Sequence, residues 1–323
     1  MSGQEFLSDR DHRSHRPLER INEMMSRSVV VLPLALAFAF AALTASDVSG
    51  QDQPPKIFIS VDMEGIGGIG TGKMTNGAGK DYATGRELMT EEVNTVVAAI
   101  FERGPAEILI NDSHGDMQNL LHTRLDPRVT YIQGNIKPLG MVQGLDASFD
   151  GAIFLGYHAR AGTDGGFLAH TGSGSVKGLW LNGVEVGEGG LNAHYAGAHG
   201  VPILVAAGDA AFAKQFSALV HTRAVTTKRA IGYQVAELLH PDVVRERLRA
   251  ATHEALADLD GATPLAVSDP INIRIRFAST TRPDVLEAIP GVLRVDGNTV
   301  EYDANDMTQA YKLIRLMYKY VAF

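Results

Sequence analysis

Apolar residues fall along this chain in two rhythms. The first is the short, nearly unbroken run, at residues 56–61, 107–111, 129–133, 152–156 and 202–207. Such runs, rich in Val and Ile, read as strands buried on both faces. The second is helical. Over 82–103, Leu88, Val93, Val96, Val97 and Ile100 form one stripe, and Gly104-Pro105 ends it. Residues 187–198 also read as a helix. Between these two kinds of segment, 177–186 alternates around Asn182-Gly183, the pair that best fits a tight hairpin turn. Strands alternating with helices predict an α/β fold, with a largely parallel sheet flanked by helices.

The texture changes past residue 225. A charged amphipathic helix is predicted over 243–259 and a half-solvated strand over 271–277. A hairpin follows over 292–302 around Asp296-Gly297-Asn298, then a terminal helix over 307–320. The predicted organisation is a catalytic α/β domain over 51–225 and a smaller C-terminal α+β domain over 226–323.

Residues 1–50 are set apart. Residues 29–43 are an apolar run preceded by Arg27 and followed by Thr44-Ala45-Ser46. Charged, apolar and small residues in that order form a signal peptide-like segment. The run is shorter than the ~20 residues a spanning helix needs. The expectation is cleavage between Ala45 and Gln51, export to the periplasm or beyond, and no membrane span in the mature form. An uncleaved segment would be a membrane anchor. The polar stretch before it suggests Met24 or Met25 as the true start.

The net charge of -8 argues against a nucleic-acid partner, which needs a Lys/Arg surplus. The chain has no cysteine, so disulfides, thiolate zinc sites and Cys nucleophiles are all excluded. Any metal must be held by His, Asp or Glu. Gly65-Ile-Gly67-Gly-Ile-Gly70 mimics a dinucleotide fingerprint, and 67–74 mimics a phosphate loop. Met74 stands where that loop needs Ser or Thr, and no helix opens at the glycines. With Asp62 and Glu64 just upstream, the segment reads instead as a flexible loop beside a site.

Candidate ligands gather at strand ends. Asp62 and Glu64 close the first strand two residues apart, so both carboxylates share one face. His114 follows the second strand, and His158 follows the run at 152–156. In a parallel sheet those ends share one edge, where ligands bind. Glu188 opens the helix after the hairpin and offers a fifth ligand. Nitrogen and oxygen ligands without sulfur suit Zn²⁺, and also Mn²⁺ or Co²⁺. Three carboxylates and two histidines suffice for two ions with one carboxylate bridging. Asn111 or Asp112 would orient His114, although Asp112 fits a turn residue better. His170, among glycines 162–174, is the candidate acid/base. Lys73 and Arg160 are the only basic residues near these positions in sequence.

Taken together, Ser60-Val-Asp-Met-Glu-Gly65, Asn111-Asp-Ser-His114, Gly156-Tyr-His-Ala-Arg160 and Gly187-Glu-Gly-Gly-Leu-Asn192 resemble the D-aminopeptidases of the dipeptide-operon type, peptidase family M55. The resemblance runs from about Lys56 almost to the C-terminus. It implies two zinc ions per subunit, with Asp62 bridging and Glu64, His114, His158 and Glu188 completing the shells. It places His170 at the catalytic histidine. It also implies short peptides with N-terminal D-amino acids, D-Ala above all, as substrates, and a ring-shaped homo-oligomer. The signal-like segment departs from the cytosolic members. Two other readings of the same residues are an exported metal- or peptide-binding protein without catalysis, and a binuclear hydrolase of another substrate class.

Overall fold

The computed structural model describes residues 53–321. The signal-like segment, its cleavage site and the start methionine lie outside the described residues. Residues 52–323 fall in one compact unit.

The chain opens with β1 (Lys56–Val61), α1 (Tyr82–Glu102), β2 (Glu107–Asp112), β3 (Thr130–Ile132) and β4 (Gly151–Tyr157). The hairpin β5 (Val176–Leu181) and β6 (Val184–Glu185) follows, then α2 (Glu188–Ala198), β7 (Ile203–Asp209) and α3 (Ala210–Ser217). Next come β8 (Arg223–Gly232), β9 (Val235–Leu238), α4 (Pro241–Ala257), β10 (Ile271–Phe277) and α5 (Thr281–Leu286). The chain closes with β11 (Leu293–Arg294), β12 (Thr299–Ala304) and α6 (Met307–Arg315).

Seven strands form the main sheet in the order β3-β2-β1-β4-β7-β8-β9, parallel except for the β8–β9 pair. One face packs on α1 and α4 through Ile57, Ile59, Val93, Val97, Val244 and Leu248. The other packs on α2, α3, α6 and a second, antiparallel sheet through Phe58, Phe154, Leu191, Phe212, Ile273 and Tyr311. With both faces covered, β4 and β7 are buried along their whole length. That is why the sequence shows continuous apolar runs there and not alternation. In the β5–β6 turn, Asn182 and Gly183 both take positive φ, as a tight primed turn requires.

The chain winds outward from β1 to β3, then returns to lay β4 on the other side of β1. The reversal between β1 and β4 opens a crevice beyond the carboxyl ends of those strands.

Three expectations need correction. The boundary expected near residue 225 runs through β8, which pairs with β7 in the main sheet. The second sheet, β11-β12-β10-β5-β6, draws strands from both sides of that boundary. The glycine-rich loop is no flexible appendage at its start. Ile66 and Ile69 are fully buried, and Thr227 Oγ1 and Lys228 Nζ of β8 donate to the carbonyls of Gly65, Glu64 and Ile69. The terminal helix is regular only to Arg315, and residues 316–320 form a wider turn closed by Val321 N–H to Leu316 O.

Candidate functional site

The crevice collects all six residues singled out from the sequence. Asp62 and Glu64 follow β1, His114 follows β2, and His158 follows β4. The chain can turn so tightly here because it carries glycine at two close approaches. A Cβ on Gly65 would lie 1.9 Å from the Tyr157 carbonyl oxygen, and one on Gly156 would lie 2.2 Å from that of Asp62. Gly65 N–H donates to Gly156 O at 2.7 Å, locking the two strand ends together. Glu188 arrives from a different direction, as the first residue of α2, where the helix dipole favours a carboxylate.

Two groups form within the cluster. His114 Nδ1 lies 3.1 Å from Asp62 Oδ1 and 3.0 Å from Glu64 Oε2. His158 Nε2 lies 3.4 Å from Asp62 Oδ2 and 3.6 Å from Glu188 Oε2. Asp62 thus faces both groups, one oxygen to each. His170 Nε2 is 3.5 Å from Glu188 Oε1, and its ring stacks on His158 at 4.1 Å. Its side chain is 29% exposed, against 1% for His158. His170 therefore stands at the mouth of the cluster and His158 at its floor.

Each imidazole is oriented by a backbone carbonyl. His114 Nε2 donates to Thr75 O at 2.7 Å, so its Nδ1 lone pair faces the carboxylates. His158 Nδ1 donates to Ala159 O at 3.0 Å, which frees Nε2. His170 Nδ1 donates to Leu168 O at 2.9 Å. The residue holding His114 is therefore Thr75, not Asn111 or Asp112. Asp112 is a turn anchor, accepting from the N–H groups of Asn119 and Leu120. Asn111 donates to Gly140 O and accepts from Lys137.

Beneath the ligands runs a neutral relay. Tyr311 OH donates to Asn192 Oδ1 at 2.6 Å, Asn192 Nδ2 to Tyr157 OH at 2.9 Å, and Tyr157 OH meets Ser60 Oγ at 2.7 Å. It ties α6, α2, β4 and β1 together.

The electrostatics of the protein without an ion are strained. Burial and the neighbouring Glu64 push Asp62 above the usual carboxylate range. Burial opposes ionisation of Glu64 too, but facing His114 wins and holds its carboxyl well down. Glu188 is likewise held at about 2, against its burial, by His158 and His170. Burial alone would lower both His114 and His158, yet their carboxylate neighbours raise them well above the usual imidazole value. Asp62 Oδ2, Glu64 Oε2 and His158 Nε2 are buried without a hydrogen-bond partner. Orphaned buried acceptors are rare and costly, and these three converge. Three carboxylates and the lone pairs of two imidazoles fit a divalent cation of the zinc type.

The cluster opens into a cavity of about 80 Å³ lined by Asp62, His114, His170, Glu188, Arg315 and Tyr318, among others. A larger cavity of about 520 Å³ lies behind the start of α2 against His158, walled mainly by Val184, Val186, Phe212, Phe216 and Leu219. Sequence reasoning missed Lys228, Thr227 and Arg315. Charged residues on a strand and a terminal helix read as solvated, and only the fold shows them turned inward.

The model of the D-aminopeptidase family, Peptidase_M55, matches residues 56–316. The chain belongs to this family. A curated D-aminopeptidase of Bacillus subtilis (strain 168) is 38% identical over 264 residues, 81% of this chain and 96% of its own. The solved structure of the Zn-dependent D-aminopeptidase DppA from Bacillus subtilis, described as a self-compartmentalizing protease, agrees with a TM-score of 0.78 at 38% identity. It too covers 81% of this chain and 96% of its own. As a D-aminopeptidase family member the chain is a metallo-hydrolase, and the crevice between β1 and β4 is where its ligand-type residues meet.

Proposed function

We propose that this protein releases N-terminal D-amino acids, D-Ala in particular, from short peptides, using two zinc ions. The observation that carries the reading is the convergence of the orphaned Asp62 Oδ2, Glu64 Oε2 and His158 Nε2 at the β1–β4 crevice. Asp62, Glu64 and His114 would hold one ion, with Asp62, His158 and Glu188 holding the other and Asp62 bridging. Zinc bound there supplies Lewis acidity, which polarises a carbonyl and brings the pKa of water from ~15.7 towards neutrality.

His170 moves the proton. Its Nδ1–H is committed to Leu168 O, so Nε2 carries a lone pair in the neutral ring. Nε2 can accept a proton from the attacking water and return it to the leaving amine, as one group serving as base and then acid. A carboxylate oxygen of Glu64 or Glu188 left free by the metal would help anchor the substrate's ammonium, in keeping with exopeptidase action. Thr75 keeps His114 aimed through its carbonyl.

The zinc-dependent, self-compartmentalizing relative supports an oligomer of this chain, for which we propose a ring. The apolar run at 29–43 supports export, to a compartment where fragments of D-Ala-containing cell wall arise.

The test uses purified protein and matched D-Ala and L-Ala p-nitroanilides, with and without chelator and added zinc. The expected result is zinc-restored cleavage of the D form alone. Cleavage of the L form would overturn the stereochemical claim. Cleavage that survives complete metal removal would overturn the chemistry.

A further inference from the structure

The cavity that exposes the candidate ligands has a second, cationic wall. Arg315 ends α6 and is only 3% exposed. Its Nη1 donates to Tyr318 OH at 3.2 Å, and its Nη2 to Tyr320 OH at 2.9 Å and Lys137 O at 3.4 Å. All three acceptors are uncharged, and Arg315 Nε is buried with no acceptor at all. Among the described residues this guanidinium has no carboxylate partner. A buried charge without a counter-charge is expensive, and a guanidinium is the group best shaped to take a carboxylate by two parallel bonds.

The surroundings are built to hold it there. Gly140 adopts φ +45°, and a Cβ on it would lie 2.7 Å from the Arg315 Cζ. The wide turn after α6 brings Tyr318 and Lys319 into the lining of the cavity that Asp62, His114 and Glu188 also line. Lys319 Nζ rests on Gly115 O at 3.2 Å, at the outer rim.

Building on the aminopeptidase reading, we propose that Arg315, assisted by Lys319, is the subsite for the C-terminal carboxylate of the substrate, so that a free carboxylate is preferred over a blocked one. The two walls match the two ends of a short zwitterionic peptide. The candidate ligands and the arginine line one cavity, so a peptide with its scissile carbonyl at the ligands would bring its free carboxylate towards the guanidinium. The cavity is small, about 80 Å³, which favours small side chains on the substrate. A longer peptide, or one with its carboxylate blocked, leaves the guanidinium unpaired. Leaving a buried charged donor unsatisfied costs roughly 10- to 100-fold in affinity.

The test compares D-Ala-D-Ala with its C-terminal amide, the same shape without the charge, using the zinc-loaded enzyme. The wild type is expected to favour the acid by at least about 10-fold in kcat/KM, through KM more than kcat. Arg315→Met should bring that ratio close to 1, with Arg315→Lys intermediate. A second readout is competition: D-alanine should inhibit the wild type more strongly than D-alaninamide, and Arg315→Met should abolish the difference. Because Arg315 is buried and its replacement could unfold the protein, the rim variant Lys319→Met should also lower the ratio, by a smaller factor. A wild-type ratio of 1, or an equal loss on both substrates in Arg315→Met, would overturn the subsite while leaving the aminopeptidase reading intact. Failure of the wild type to cleave either D-peptide would overturn both.

Discussion

At the scale of single residues, the cluster has a buried floor and one half-buried histidine at its mouth. His114 is wedged between two carboxylates, and its Nδ1 has no other task. His114→Ala should cost most of the bound zinc, measured by metal content after dialysis, together with activity. His170 stands at the cavity mouth with its Nε2 towards Glu188. His170→Ala should keep its zinc and lose at least ~100-fold in kcat, the usual range for removing a general acid/base. Loss of zinc instead would make His170 a ligand. The meeting of these residues at one crevice was readable in outline, because a carboxylate pair or a histidine directly after a buried strand has few structural uses. Thr75 and Arg315 were not readable. Thr75 acts through a backbone carbonyl, which every residue has, and Arg315 sits in a terminal helix whose spacing shows only amphipathicity.

Glu92 of α1 is buried, its Oε1 accepts from Gly67 N–H at 2.6 Å, and its Oε2 has no partner. Burial raises its pKa to about 7. A carboxyl whose folded pKa exceeds the unfolded ~4.3 binds its proton more tightly in the folded state. Its stabilising contribution is therefore fully present below about pH 4.3 and is lost as pH rises through 7, by at most about 4 kcal/mol. Denaturant titrations of metal-free wild type and Glu92→Gln at pH 5 and pH 8 check this. The variant should gain stability relative to wild type at the higher pH.

Among the elements, the site depends on how β1, β4 and β8 grip one another. The crossing at Gly65 and Gly156 has no room for a methyl group, and β8 clamps the following loop through Thr227 and buried Lys228. Gly65→Ala should lower stability by about 2 kcal/mol or more, in the range of overpacked cores. It should also weaken zinc affinity, because Asp62 and Glu64 lie within the three residues before the displaced backbone. Calorimetric melting with and without zinc reads both effects. The parallel core strands were legible as continuous apolar runs, and the Asn182-Gly183 hairpin as turn chemistry. The stretch from Ala210 to Leu238 was not. Its short helix begins directly off β7, capped by Asp209, and Thr226-Thr227-Lys228-Arg229 carries polar residues into a buried strand. Polar patterning there serves the clamp and so hides the strand.

At the scale of the whole molecule, the two sheets are one construction and not two domains in series. The second sheet is stitched from the β5–β6 hairpin and from strands more than 80 residues later. Composition changes past residue 225 because later strands alternate on a half-solvated sheet, and sequence alone presents that as a boundary. Native mass measurement should find a particle several times the 34.6 kDa chain. A monomer at micromolar concentration would sink the ring.

The wall that faces the ligands is made by the last stretch of the chain. Asp62, Glu64, His114, His158 and Glu188 are all synthesised well before Tyr311 can close the relay through Asn192 and before Arg315 can enter the cavity. A chain still leaving the ribosome therefore carries the ligand-type residues without the finished cavity wall.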